Sequence, residues 1–154
     1  MSEKRIYKIS IICNQQNNGE IQINNFFNYC DFPDATDAYI MIDKALGIRE
    51  NAIDISNLGV YCNGLKDVFD NTTINNLKIS TQLDIIPSTF IRSVANAVLS
   101  NTYFNLTNQL DNWTRLSLSQ LNNLNISVNG LTHPFENGID FELVIVLKIK
   151  LIKK

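Results

Sequence analysis

Charge is what this chain has least of. Asp, Glu, Lys and Arg make up only 18% of its 154 residues, against about a quarter in an ordinary globular protein. The 13 cationic and 15 acidic side chains nearly cancel, leaving a formal net charge of -2. No field of one sign is therefore available to attract nucleic acid or an anionic membrane surface. Histidine is reduced to one residue, His133. A metal site built from several histidines of one chain is excluded by that count. A nucleophile–histidine–acid arrangement would have to use His133, which stands beside Pro134 with no G-x-S-x-G elbow to accompany it. Cysteine is scarce and odd in number, at Cys13, Cys30 and Cys62, with no C-x-x-C pair. That argues against a zinc site or a disulfide framework and for reduced thiols in or near the core. Neither phosphate-cradling glycine pattern occurs. No apolar run approaches the roughly 20 residues of a spanning helix, and no apolar segment follows Met1 as a secretory signal would.

What fills the space left by charge is asparagine, 22 residues of 154. Its codons, like those of Ile and Lys, are AT-rich, so part of this bias reports on the source genome. The four N-x-S/T sequences at Asn71, Asn105, Asn112 and Asn125 are about what such a composition yields by chance, and say nothing about glycosylation. Ile74–Ser80 resembles Leu121–Ser127, but the flanks do not match, and the composition produces such coincidences without a duplication.

The strongest pattern is the last one. From Ile139 to Ile152 every odd position is apolar: Ile139, Phe141, Leu143, Ile145, Leu147, Ile149 and Leu151. The even positions run from Asp140 and Glu142, through Val144 and Val146, to Lys148 and Lys150. Period two over this length predicts a strand with one buried face, roughly 45 Å long. Its second face is apolar only at the centre, which predicts a cover there.

Other strands follow from the same alternation. Arg5–Cys13 and Glu20–Asn24 read as a hairpin. Leu58–Cys62 leads into Asn63-Gly64, the strongest short hairpin signal, with Cys62 expected opposite Leu65, Val60 opposite Asp67 and Leu58 opposite Phe69. Ala52–Ser56, alternating through Ile53 and Ile55, Leu77–Ile85, a strand through Leu116 and Leu118, and one through Leu124, Ile126 and Val128 complete the set. Two helices are expected. One runs from about Thr36 to Leu46, with Ala38, Tyr39, Ile42, Ala45 and Leu46 at helical spacing and Gly47 ending it. The other opens at Pro87 and ends near Ser100, with Phe90, Ile91, Val94, Ala97 and Val98 as its stripe. The expected fold is one domain, 1–154, of α+β class. It is mainly antiparallel β, a sandwich or partly open barrel of eight or nine strands with two helices packed on it.

Candidate chemistry is thin. Asp31, Asp34 and Asp37 could gather a hard cation but read better as helix capping. Tyr103, Phe104, Asn112 and Trp113 could form a stacking surface but read better as packing. Lys148, Lys150, Lys153 and Lys154 could touch phosphates but read better as protection of a long strand. No cofactor, metal or catalytic set is expected. The charge split of the last strand singles out Asp140, Glu142, Lys148 and Lys150 as subunit-interface candidates, since two copies laid antiparallel would join opposite charges. Sparse chemistry and an amide-rich surface lead to the expectation of a non-enzymatic structural protein. It would form a homo-oligomer and contact other structural proteins, and the concrete version is a phage or viral component such as a capsid, neck or tail protein. It is expected in the virion or host cytoplasm, without membrane or nucleic-acid partners. The alternative is a cytoplasmic module binding a small ligand or carbohydrate.

Overall fold

The computed structural model describes residues 2–32, 34–50, 57–65, 81–92, 100–129 and 141–154. Among them are ten strands and two single-turn helices. In chain order they are β1 Glu3–Asn14, β2 Glu20–Asn24, α1 Phe26–Tyr29, β3 Asp37–Arg49, β4 Leu58–Cys62, β5 Thr81–Ile86, β6 Ser88–Arg92, β7 Ser100–Thr107, β8 Thr114–Leu116, α2 Leu118–Leu121, β9 Asn123–Asn129 and β10 Phe141–Lys153.

They form two antiparallel sheets. The first has the order β1-β10-β3-β7-β6, with β8 on the remaining part of β3, and the second has the order β2-β9-β4-β5. Neither is closed. One apolar interior lies between them, with Ile11, Ile145, Leu147 and Phe104 from the first sheet and Leu58, Val60, Ile86 and Ile126 from the second. The fold is mainly antiparallel β with short helices, as the alternation predicts.

β10 is the spine of the first sheet. Phe141, Leu143, Ile145, Leu147, Ile149 and Leu151 are all buried, so the period-two reading holds over the described part of the strand. It pairs with β1 over twelve residues on one side and with β3 on the other.

The first expected long helix is replaced by a strand, and so is the described beginning of the second. Residues 37–46 of the first lie in β3, whose register to β10 slips between Val146 and Leu147. Lys44 faces Val146 and Ile42 faces Leu147, which leaves Asp43 as the extra residue of a bulge. The bulge flips the phase of the strand. Ala38, Ile40 and Ile42 are buried before it and Ala45 after it, so a strand acquires the three-residue step that imitates a helix. Gly47 ends nothing. It lies opposite Leu143 and Phe104, where a Cβ would stand 2.8 Å from Leu143 Cδ1. In the second expected helix, Phe90 and Ile91 belong to β6, which pairs with β7, while Val94, Ala97 and Val98 lie outside the described residues. Pro87 sits between β5 and β6, where the chain passes from one sheet to the other. Its carbonyl accepts a hydrogen bond from Asn105, and having no N–H to donate costs nothing at such a crossing.

Neither expected hairpin forms. β1 and β2 belong to different sheets, and the turn between them is held by asparagines. Asn14 Oδ1 accepts from the amides of Gln16 and Asn17, and Asn17 Oδ1 from those of Asn14 and Gly19. Cys62 is flanked by Thr81 and Ile126, so β4 has both edges filled by β5 and β9. Leu65 bridges instead to Leu116, and Asp67 and Phe69 lie outside the described residues. Gly64 does take the positive φ that Asn-Gly implies, at 75°.

Candidate functional site on the outer sheet faces

Cross-strand register lays out the solvent face of the first sheet in rows, because directly opposed residues share a face. At one end Asn14, Glu142, Ile48 and Tyr103 stand side by side, followed by Ile12, Val144, Leu46 and Asn105 and then by Ser10, Val146, Lys44 and Thr107. Towards the other end come Lys8 with Lys148, then Ile6, Lys150, Tyr39 and Arg115. The face is acidic at the Glu142 end, where Glu50 also lines a shallow cleft of about 330 Å³ with Asn14, Gln16 and Ile48. It is apolar in the middle, where Leu46 is 66% and Ile12 50% exposed. It is basic at the far end.

Of the interface candidates, Glu142 is exposed on this face and Asp140 lies outside the described residues. Lys148 and Lys150 are on the face but already engaged. Lys148 Nζ reaches Asp43 Oδ1 at 3.1 Å, and Lys8 Nζ lies 3.5 Å from Asp43 Oδ2. The bulge aims Asp43 at both lysines. Burial works against ionising this carboxyl, but the hydrogen bond and charge of Lys148 and the charge of Lys8 outweigh it and hold the acid below its ordinary value. Lys150 Nζ sits 4.4 Å from the centre of the Trp113 ring and 4.7 Å from that of Tyr39. Desolvation, and then the charge of Lys4, lower its affinity for a proton. The edge pairing of β10 between copies has no edge to use, since β1 and β3 occupy both. Contact through β10 must use the face.

The other charged features meet one another. Asp37 is buried, with Arg115 Nη2 at 3.1 Å and Lys154 Nζ at 3.0 Å. The hydrogen bond from Lys154 leads the causes that hold its carboxyl low. Lys153 pairs with Asp34 at 3.8 Å. Two of the three aspartates read as helix caps, Asp34 and Asp37, thus receive the C-terminal lysines. The aromatic group is dispersed. Phe104 is buried against Phe141 with ring centres 5.5 Å apart, Tyr103 is on the outer face and Trp113 covers Lys150. His133 lies outside the described residues. Among the described residues, no three His, Cys, Asp or Glu side chains are placed to hold a metal. Among them, too, no helix is long and apolar enough to cross a membrane.

The outer face of the second sheet is of another kind, and the sequence reading missed it. Glu20, Ser127, Tyr61 and Gln82 form one row across β2, β9, β4 and β5. Asn129, Gly59 and Ile85 form the next, and Gln22 with Asn125 lies on the far side. A cleft of about 280 Å³ opens here, lined by Asn18, Glu20, Tyr61, Ser127 and Asn129. The signal in the sequence was alternation of amides and hydroxyls with apolar residues in Glu20–Asn24 and Asn123–Asn129. No protein-family model, curated protein or solved structure matches this chain.

Proposed function

We propose that this chain is a structural subunit that works by assembling with copies of itself and with other structural proteins, most concretely as a phage or viral virion component of the capsid, neck or tail kind. The observation that carries this reading is the outer face of the first sheet, with its acidic end, exposed apolar centre and basic end. Such a face complements itself. A two-fold axis lying across the strands, between the Val144 and Val146 rows, sets Glu142 of one copy over Lys148 of the other. The same operation sets Val144 over Val146, and Leu46 over the aliphatic stem of Lys44. The apolar centre supplies the driving force through area removed from water, and the charges fix the antiparallel orientation.

Light scattering after gel filtration, over a concentration series, tests the reading. The wild-type chain is expected as a discrete oligomer. Leu46→Lys places a charge at the centre of the contact on a side chain too exposed to matter for folding. It is expected to lower the native mass toward the monomer with the thermal midpoint kept. Reversing Lys148 and Lys150 would be a poorer test, because both also hold the fold together. A wild-type monomer at every concentration overturns self-assembly. A folded Leu46→Lys protein of unchanged mass moves the contact away from this face.

A further inference from the structure

The second sheet presents its outer face to a different class of partner. We infer that this face, centred on Tyr61, binds a neutral carbohydrate chain. The inference goes beyond assembly and uses none of the residues argued for it.

The first observation is the seating of Tyr61. A Cβ added to Gly59 would stand 2.8 Å from Tyr61 Cε2, 2.9 Å from its hydroxyl and 3.0 Å from Cζ. The ring therefore lies down over the glycine, on the sheet, instead of standing off it. Glycine is the residue that permits so close an approach. The end of the ring thus rests close to the Gly59 backbone, and Tyr61 also lines the cleft shared with Glu20, Ser127, Asn18 and Asn129. A flat, fixed aromatic on an open surface suits a ligand with a flat apolar side, and the C–H side of a pyranose is one, meeting the negative face of the ring.

The second observation is the polar surroundings. The neighbours are amides and a hydroxyl: Gln22, Asn125, Ser127, Asn129 and Gln82. Amides and hydroxyls donate and accept at once, as sugar hydroxyls do. Glu20 adds one strong acceptor, placed across Ser127 from Tyr61, and no ion pair engages it among the described residues. Chains of phosphates are excluded by charge. The four strands of this sheet, with sequences EIQIN, LGVYC, TQLDII and NLNISVN, contain no Lys or Arg, and phosphate affinity rests on such cations. The row from Glu20 to Gln82 crosses four strands, roughly 14 Å at ordinary strand spacing, which gives room for a short oligosaccharide.

The test is a titration of the ¹⁵N-labelled full chain, followed by amide and tyrosine ring shifts. The probes are four neutral hexasaccharides: maltohexaose, cellohexaose, laminarihexaose and chitohexaose. At least one is expected to saturate with a Kd at or below about 1 mM, shifting Tyr61, Ser127 and Glu20 together. Tyr61→Ala is expected to weaken it by about tenfold or more, whereas Tyr61→Phe, which keeps the ring, stays within about threefold. Circular dichroism confirms that both variants fold. Absence of any shift at Tyr61 with all four sugars at about 10 mM overturns the inference, as does binding that Tyr61→Ala leaves intact. If Tyr61→Ala changes the native mass in light scattering, the face is a protein contact and the carbohydrate reading falls. Leu46→Lys, which tests assembly, is expected to leave sugar binding unchanged, so the two proposals fail separately.

Discussion

Asp43 and Asp37 carry more of the fold's electrostatics than any other acids described. Asp43 is placed by the β3 bulge between Lys148 and Lys8. Asp37 is buried between Arg115 and Lys154 and also accepts from the Thr36 hydroxyl. Both carboxyls are held below their ordinary value by these partners. A depressed folded-state value means that the native form binds fewer protons than the unfolded chain in that range. Stability is then fully present above the unfolded value, near pH 4, and is lost as pH falls through the folded one. Urea midpoints measured from pH 6 down to pH 2.5 are expected to fall steeply below about pH 4. In the Asp37→Asn/Asp43→Asn protein the curve is expected to be lower at pH 6 and flatter below pH 4. Equal slopes in the two proteins would show that these pairs contribute nothing.

At the scale of elements, β3 shows how a strand can be written in helical spacing. The positions it gives to the apolar interior are Ala38, Ile40 and Ile42 before the bulge and Ala45 after it. The step from 42 to 45 comes from the extra residue, not from a helical turn. The bulge is fastened from outside the strand. Asn108 donates from its amide nitrogen to the Ile42 carbonyl at 2.6 Å and to Asp84 of β5 at 3.0 Å, and its backbone N–H bonds the Asp43 carbonyl. None of these partners is near Asp43 in sequence, so nothing local announces the bulge. Gly47 belongs to the same strand and to its packing. A methyl group there meets Leu143 Cδ1 at 2.8 Å and the Glu142 carbonyl oxygen at 2.7 Å. The backbone oxygen cannot swing away as a side chain can. Gly47→Ala is expected to destabilise the protein by about 1–3 kcal/mol through overpacking, read as a lower urea midpoint at unchanged slope. An unchanged or raised midpoint would mean that β3 and β10 can separate to take the methyl.

At the scale of the whole molecule, the described residues form two unlike sheet faces around one interior. The first sheet shows an acid–apolar–base face suited to a second copy, and the second shows an amide-rich face with one seated tyrosine. The interior between them holds Cys13 from the first sheet and Cys62 from the second, both fully buried. Desolvation pushes both thiols up to about 12, which suppresses the reactive thiolate. Cys30 is only partly buried; burial raises its thiol as well, against a hydrogen bond from the Phe32 backbone that lowers it. A thiol reagent at pH 8 is therefore expected to modify Cys30 in the native protein. Cys13 and Cys62 are expected to react only at the rate of global unfolding, when both sheets come apart together. Fast labelling of Cys62 with Cys13 still protected would show the second sheet opening by itself.

The sequence alone determined the class of the fold and its longest element. Alternation in β10, β9 and β1 sets which side chains face the interior, because the period of a strand is a property of its own backbone. It also determined the want of charge that leaves amides to cover a whole sheet. Tertiary structure decided what local pattern does not contain. The partners of a strand are chosen by long-range pairing, so β1 joins β10 and not the adjacent β2, and β4 lies between β5 and β9 instead of turning back at Asn63-Gly64. The same pairing encloses β10, which turns the charges at Glu142, Lys148 and Lys150 from an edge into a face. It also gathers Tyr61, Glu20 and Ser127 into one row from three separate strands, since a sheet makes neighbours of residues that the chain keeps far apart.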